Sequence, residues 1–205
     1  MTESRTTRTI AREAVRADLS QAAFQLTRQR GFDNITVGDM AAAAGVSRST
    51  LLRYFASKEE AVLYAFSVHV ARFAEALRAR PDSEDDWTVL RRSLEGVIDF
   101  YLADPVGALE ITQLVIETPE LYAHQLQRQH SWRPVLAEAL AARAGLSVPV
   151  PIALEVKVGA ALSCLSIAVE RWVASAGALD LLTLLREGLD VIAPTPASVS
   201  SVIEA

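Results

Sequence analysis

The chain has 205 residues, 51% of them hydrophobic, and a net charge of −5 that is unevenly spread, because residues 1–60 carry nine basic and seven acidic side chains whereas residues 61–205 carry eleven and eighteen. The single cysteine, Cys164, excludes an internal disulfide and a cysteine-ligated zinc cluster, so a reducing cytoplasm is the expected location. No apolar run follows the basic N-terminus and the longest uncharged apolar run is residues 158–169, so neither a signal peptide nor a membrane span of about 20 residues is expected.

The N-terminal region is predicted to be a flexible basic arm followed by a long helix. Residues 1–9 are polar, include Arg5 and Arg8, and show no apolar pattern. From residue 10 to residue 30 the apolar side chains recur at helical spacing and define a buried stripe. The residues of this stripe are Leu19, Ala22, Ala23 and Leu26. Gly31 follows the last turn, in the position where glycine commonly ends a helix.

Residues 36–56 predict two short helices joined by a tight turn. Thr36, with Asp39 three positions later, is a capping box that starts the first of them. Gly45 ends it in a turn that requires a positive φ, and Ser47 caps a further helix over residues 48–55. This is the organisation of a helix-turn-helix, whose second helix enters the DNA major groove. The net positive charge of the N-terminal region agrees with that interpretation.

The remainder of the chain is also predicted to be helical. A fourth helix begins at a second capping box, formed by Ser57 and Glu60, and continues to about Arg80. Pro134 should kink or split the helix that contains it, and residues 194–205 are expected to be a disordered tail. Proline and glycine separate the later helices, which are predicted over residues 85–103, 106–117, 120–144, 152–175 and 179–192. The fold class is therefore all-α, with about nine helices.

The helix-turn-helix region carries several specific motifs in addition to its general pattern. They are Arg30–Phe32, Thr36–Ala41, Ala44–Ser47, Thr50–Leu51 and Tyr54–Glu60. With these motifs, residues 10–65 resemble the TetR family of bacterial transcriptional regulators. The resemblance implies an N-terminal three-helix DNA-binding domain over residues 10–57 and a larger helical domain for ligand binding and dimerisation over residues 58–193. Thr27 and Leu52 depart from the family pattern, which has a large apolar residue and often a tyrosine at these positions.

The resemblance and the physical chemistry of the side chains together predict the DNA contacts. Arg48 and Ser49 stand at the exposed start of the recognition helix, where an arginine is well suited to a bidentate hydrogen bond with guanine. Hydroxyl, phenol and ammonium groups nearby suit phosphate oxygens, as do the helix N-termini. The predicted DNA-binding residues are Thr36, Ser47, Arg48, Ser49, Thr50, Arg53, Tyr54 and Lys58, with Arg5 and Arg8 from the arm.

The eighth predicted helix is apolar on all sides and has no charged residue between positions 158 and 169. A helix of this kind is buried all round. The resemblance implies that the last two helices pack against the same pair of a second copy, and the alternative is an internal core helix. The predicted dimer-interface residues are Val158, Ala161, Leu162, Leu165, Val169, Trp172, Leu181, Leu185 and Leu189.

The middle helices contain an unusual share of large and aromatic residues, and the resemblance implies an apolar effector cavity among them. Each of these side chains, taken alone, is more often part of the core than of a pocket. The predicted lining residues are Phe66, His69, Phe73, Trp87, Phe100, Tyr101, Thr112, Gln113, Ile116, Tyr122 and Trp132. The effector is expected to be largely apolar with one polar end, and fatty acyl derivatives are among the candidates.

No catalytic constellation, metal site or cofactor site is predicted, because the histidines lack a same-face metal spacing and no nucleophile has an assigned base. The sequence therefore predicts a homodimeric repressor that binds a palindromic double-stranded DNA operator and responds to a small-molecule effector. Two alternatives stay open at this level. One is an architectural DNA-binding protein without an effector, and the other is a small all-helical enzyme with a DNA-binding-like head.

Overall fold

The computed structural model describes residues 7–64, 67–146 and 149–193, except for the side chains at positions 8, 67–69 and 100. Within these ranges the chain forms ten α-helices and no strand. The helices are α1 Thr7–Arg30, α2 Val37–Ala43, α3 Arg48–Tyr54, α4 Lys58–Leu63, α5 Ser67–Ala79, α6 Asp86–Ala103, α7 Pro105–Glu117, α8 Pro119–Arg143, α9 Ile152–Ala174 and α10 Leu181–Ile192. The predicted all-α fold class is confirmed.

The local signals for helix ends are seen as hydrogen bonds. Thr36 Oγ1 accepts the N–H of Asp39 at 3.2 Å, and the Asp39 carboxylate accepts the N–H of Thr36 at 2.8 Å, which completes the predicted capping box. The Thr36 hydroxyl also donates to this carboxylate at 2.6 Å, and this hydrogen bond, together with that from the Thr36 N–H, lowers the pKa of the Asp39 carboxyl group. Gly31 and Gly45 have φ values of 78° and 68°, as the two turns require. The second capping box differs in one detail, because the Glu60 carboxylate accepts the N–H of Ala56 and not that of Ser57.

Three predicted boundaries change. The first helix begins at Thr7, so the last three residues of the predicted arm are helical, while residues 1–6 with Arg5, and the predicted tail 194–205, lie outside the described residues. The predicted fourth helix corresponds to α4 and α5, on either side of residues 65–66, which the structure does not describe. Pro134 lies inside α8 without splitting it. Pro134 and His130 are both exposed, so the carbonyl that loses its helical partner can face water.

The described elements belong to two compact units. The first unit comprises Met1–Val68 and Glu117–Gln125. In it α1 packs against α2 and α4, and α2 packs against α3. Its core includes Leu19, Phe24, Met40 and Ile35. Thr27 is fully buried in this core, and its hydroxyl donates to the carbonyl of Ala23 at 2.7 Å, so the helix itself satisfies the polar group that replaces an apolar one.

The second unit comprises His69–Ile116 and Leu126–Ala205, and it contains α9 and α10. α9 packs against α10 and α6, and α10 also packs against α6. By length and composition alone α9 could cross a membrane, yet eight of its residues are buried against its neighbours. Ion pairs join α6 to these helices, with Arg91 and Asp190 at 2.7 Å and Asp86 and Lys157 also at 2.7 Å.

The residues that the sequence predicted for the dimer interface lie on α9 and α10. Eight of the nine are buried within one chain. The eight are Val158, Ala161, Leu162, Leu165, Trp172, Leu181, Leu185 and Leu189. Val169 alone is half-buried. Because these side chains expose little surface in one chain, their place in a dimer interface stays a prediction.

Two glycines of the second unit test the backbone conformations at their positions, one helical and one left-handed. Gly96 lies on the exposed face of α6 with no atom within 4 Å of an added Cβ, and Gly145 has equally open space but a φ of 67°. Gly96→Ala should stabilise the protein by about 0.5–1 kcal/mol, because alanine favours the helix. Gly145→Ala should destabilise it by about 1 kcal/mol, because an L-residue is strained in the left-handed region. Urea unfolding of the two variants checks this, and shifts of the same sign would contradict it.

Candidate nucleic-acid interface

The orientation of α3 is set by one aliphatic and one aromatic side chain that are buried on its inner side. Leu51 is 1% exposed and Phe55, the C-cap residue, is 2% exposed. Ser47 caps the N-terminus of the helix, and its Oγ accepts the N–H of Thr50 at 3.1 Å. With positions 51 and 55 turned to the core, helical geometry turns positions 49 and 53 outwards. Arg48, in the first turn, and Leu52, at the flank of the helix, are also exposed.

The outward face of α3 carries two cations, a hydroxyl and one apolar side chain. Arg48, Ser49, Leu52 and Arg53 are all exposed. In the described part of the chain, Arg48 and Arg53 form no ion pair that would compete for their guanidinium groups. Leu52 lies between the two arginines on this face. It departs from the family pattern and was not among the predicted DNA-binding residues. Its side chain has the apolar character that a thymine methyl group contacts.

The three hydroxyl groups at the start of α3 interact with one another. Ser47 Oγ lies 2.9 Å from both Ser49 Oγ and Thr50 Oγ1. The primary role of Ser47 is therefore that of a helix cap. Thr50 is half-buried, whereas Ser47 and Ser49 are exposed and retain acceptor and donor capacity towards solvent or a ligand.

A groove of about 650 Å³ between α1 and the end of α3 brings a further arginine to this surface. It is lined by Arg12, Arg53 and Tyr54, and the Arg12 guanidinium carbon lies 5.9 Å from the centre of the Tyr54 ring. Two guanidinium groups around a phenol form a suitable site for a phosphate group. Sequence reasoning missed Arg12, because a contact between residues 12 and 54 depends on tertiary packing and leaves no local pattern.

Lys58, predicted as a phosphate contact, has a structural role. Its Nζ donates to the carbonyl oxygens of Phe32 at 2.9 Å and Ile35 at 3.3 Å, and it lies 4.0 Å from the centre of the Phe32 ring. These contacts join the start of α4 to the connection between α1 and α2. An ammonium group has three donors, so only one remains for a phosphate.

Arg16 on α1 holds α4 from the other side and was not singled out in the sequence. Its Nη2 donates to the Glu60 carboxylate at 3.0 Å, and its guanidinium lies 4.4 Å from the ring centre of Tyr64 and 5.2 Å from that of Phe55. A half-buried arginine that both pairs and stacks is worth more than an exposed ion pair. Arg16 therefore fixes α4 and the end of α3 relative to α1.

The residues predicted to line an effector cavity are found in different environments. Phe73, Tyr101, Thr112 and Trp132 are buried, and the Thr112 hydroxyl donates to the Ala108 carbonyl at 2.6 Å. Trp87, Ile116 and Tyr122 are half-buried and Gln113 is exposed. Phe66 lies outside the described residues, as do the side chains of His69 and Phe100. A common cavity formed by this set therefore stays a prediction.

One member of that set lines a described groove in the second unit. Gln113 lines a groove of about 690 Å³ together with Leu109 and Trp172. Tyr101 packs edge-on against Trp172, with ring centres 6.2 Å apart, and burial raises the pKa of its phenol far above the ordinary value. Tyr101 is therefore a neutral core residue at physiological pH.

Two family models match the chain, and together they cover both units. Residues 19–65 match the model described as bacterial regulatory proteins of the tetR family, and residues 84–196 match the model described as the MftR C-terminal domain. The first match contains the helix-turn-helix and its connection to α4. The second match covers more than half of the chain.

Curated relatives and a solved structure agree with these models. MftR of Mycobacterium tuberculosis, named as a regulator of mycofactocin biosynthesis, is 32% identical over 62% of this chain and 64% of its own length. TcmR of Streptomyces glaucescens, a helix-turn-helix transcriptional regulator, is 33% identical over 65% of this chain and 62% of its own length. The chain thus spans less than two thirds of either relative. Thermus thermophilus FadR, a repressor crystallised with lauroyl-CoA, shares the fold at 23% identity and a TM-score of 0.55, over 88% of this chain and 98% of that one.

The role of Lys58 can be tested by removing its charge while keeping its length. Lys58→Met leaves two carbonyl oxygens without their donor, and we expect a loss of about 1–3 kcal/mol in the free energy of unfolding. Arg53→Met, at an exposed position, is the matched control and should change stability by less than about 0.5 kcal/mol. Urea unfolding measures both. An unchanged midpoint for Lys58→Met, with weaker DNA binding, would return Lys58 to the role of a phosphate contact.

Proposed function

Because this chain belongs to the TetR family of bacterial transcriptional regulators, we propose that it is a cytoplasmic repressor that binds a palindromic operator as a homodimer and is released by a small, largely apolar effector. The relatives named above are transcriptional regulators, which is consistent with a protein that is not an enzyme. The observation that carries the DNA-binding part is the outward face of α3, where Arg48 and Arg53 are exposed and unpaired within the described residues.

The side chains of α3 support a division of roles on DNA. Arg48, at the exposed N-terminal end of the helix, is proposed to read a guanine in the major groove. Leu52 is proposed to contact a thymine methyl group, and Arg53, Tyr54 and Arg12 to hold one phosphate group in the groove between α1 and α3. A single arginine at the helix start specifies a base, whereas the phosphate contacts fix the position of the helix on the duplex.

The exposed apolar residues of α9 and α10 support a dimer surface that differs from the predicted one. Ile167 is 57% exposed and Val191 is 82% exposed, and both line a groove of about 540 Å³ between the two helices. Ala160, Ser163 and Gly188 also line it, and their small side chains would allow close approach of a second copy. A two-fold dimer would present two α3 helices to half-sites about 34–36 Å apart.

The effector is proposed to act on the second unit. The structural neighbour FadR was crystallised with lauroyl-CoA, and this supports a fatty acyl derivative as the first class to test. Effector and operator would be linked through one equilibrium, so a coupling of about 1–3 kcal/mol should appear equally in both affinities.

Substitution of Arg48 tests the DNA-reading role. Genomic fragments bound by the chain at about 150 mM salt should share a short palindrome, and Arg48→Ala should relax the preference at one position of each half-site at a cost of about 1–3 kcal/mol. Arg53→Ala should weaken binding to all sequences, because its contact is with phosphate. For the same reason it should reduce the slope of the logarithm of the binding constant against the logarithm of salt concentration by about one. Arg78→Ala, an exposed arginine on α5, is the control. An unchanged footprint in Arg48→Ala would remove this residue from the base-reading set.

A charge placed on the α9–α10 surface tests the proposed dimer. Ile167→Glu and Val191→Glu should each weaken dimerisation by about 2–5 kcal/mol, because a carboxylate would be buried without a partner. Val106→Glu is the matched control, since Val106 is a 69% exposed valine on α7 that does not line this groove. Sedimentation velocity over a concentration series measures the dissociation constants. Dimers of unchanged stability in both test variants would require a different interface.

A further inference from the structure

A separate groove of about 430 Å³ runs between α8 and α9. We propose that it binds the anionic head of an amphiphilic molecule, with a carboxylate or phosphate group on Arg133 and an apolar tail along Leu126 and Ile167. The groove lies entirely within the second unit. The proposal rests on four features of its wall, namely a guanidinium without an ion pair, an imidazole beside it, a glycine opposite the arginine, and exposed apolar residues at the margin.

The charge of the groove is positive and is not balanced by its own lining. Arg133 is half-buried, and its Nε is fully shielded from solvent without a hydrogen-bond partner in the structure. Among the described residues that line the groove, there is no aspartate or glutamate. Arg133 forms no ion pair with a described residue, and its described polar contact is with His130. An anion in the groove that accepts from the terminal N–H groups of the guanidinium would pair this charge.

His130 contacts the guanidinium without neutralising it. Arg133 Nη2 lies 3.4 Å from His130 Nε2. A guanidinium group can only donate, so Nε2 is the acceptor in any hydrogen bond between the two. His130 orients one edge of the guanidinium and leaves the positive charge available to a ligand.

The other wall of the groove is kept open and contributes polar groups. A Cβ at Gly159 would lie 3.6 Å from Cδ of Arg133, so glycine leaves space beside the arginine stem that any larger side chain would occupy. Ser166 Oγ donates to Oε1 of Gln129 at 3.0 Å, which leaves the amide N–H groups of Gln129 as donors. The Gln129 amide and the Arg133 guanidinium therefore offer donor groups to the same groove.

The margin of the groove is apolar and gives the proposed ligand its second property. Leu126 and Ile167 are both exposed, and Leu162 forms a buried part of the floor. A small inorganic anion would leave these side chains in water, whereas an alkyl chain would cover them and remove their apolar surface from water. The complementary molecule is therefore an anionic amphiphile.

The biological meaning of this site rests on the proposed effector response, but its occupancy does not depend on DNA. Ser163 and Ile167 line both this groove and the groove proposed for the second copy. A ligand bound here would thus lie beside the dimer contact. Binding measured without DNA separates a failure of this inference from a failure of the operator hypothesis, which Arg48→Ala addresses.

The test is isothermal titration calorimetry of the full chain with dodecyl phosphate. Every amphiphile in the experiment is kept below its critical micelle concentration. We expect one bound molecule per chain. Dodecanoate should bind as well if the shared anionic chemistry is sufficient, and binding of only one of the two identifies the preferred head group. Dodecanol and inorganic phosphate, which each lack one half of the proposed ligand, should bind at least about tenfold more weakly, a difference of about 1.4 kcal/mol.

The variants connect binding to the groove. Arg133→Met keeps the apolar stem beside Gly159, removes the charge, and should weaken dodecyl phosphate binding at least about tenfold, whereas Arg133→Lys should retain most of it. Gly159→Leu should block the groove, and Arg78→Met, which removes an exposed charge on α5, should bind like the parent chain. Circular dichroism establishes that each variant is folded. Parent-like affinity in both Arg133→Met and Gly159→Leu would overturn the site, and equally tight binding of dodecanol would overturn its anionic character.

Discussion

The helix proposed to read DNA depends on packing that it cannot supply itself. α3 has seven residues, which is too short for a stable isolated helix. Its position follows from the burial of Leu51 and Phe55, and Phe55 is in turn covered by the guanidinium of Arg16. Arg16 also pairs with Glu60, whose carboxylate accepts the N–H of Ala56 just beyond α3. One set of contacts therefore links α1, the end of α3 and the start of α4, and the outward direction of Arg48 depends on all of them.

Five cationic side chains of the first unit fall into two groups. Their positions in the sequence do not show to which group each one belongs. Arg16 and Lys58 are half-buried and already have acceptors, whereas Arg12, Arg48 and Arg53 are exposed. The first group holds the scaffold, and the second is available to a polyanion. This distribution resolves the apparent conflict between an overall charge of −5 and a DNA-binding role. DNA would interact mainly with the local charge of one surface, because screening by salt limits the influence of more distant acidic residues.

Features encoded within a few residues were predictable, and features that depend on tertiary packing were not. The cap at Thr36, the positive φ of Gly45 and the cap at Ser47 involve neighbours no more than three positions apart, so the sequence alone was sufficient. The carbonyl contacts of Lys58 bridge 23 and 26 positions and could not be read from a local pattern. The apolar pattern of α9 predicted burial all round, whereas one chain buries one side of the helix and leaves Val156 and Ile167 exposed. Hydrophobicity cannot distinguish burial by the same chain from burial by a second copy.

Helix α9 is apolar on all sides, and it borders three different environments: the core of its own chain and two grooves. The inner side of α9, with Val158, Leu165 and Trp172, is covered by its own chain. The ridge that carries Ser163 and Ile167 borders two grooves of different chemistry, one apolar and lined by small residues, the other lined by Arg133 and His130. A second copy would find a favourable surface only on the apolar side, because covering the unpaired guanidinium with protein would bury its charge. An anionic ligand removes that penalty by neutralising the charge. If both proposals hold, ligand and partner meet at the same ridge, and each must then alter the affinity of the other by the same factor.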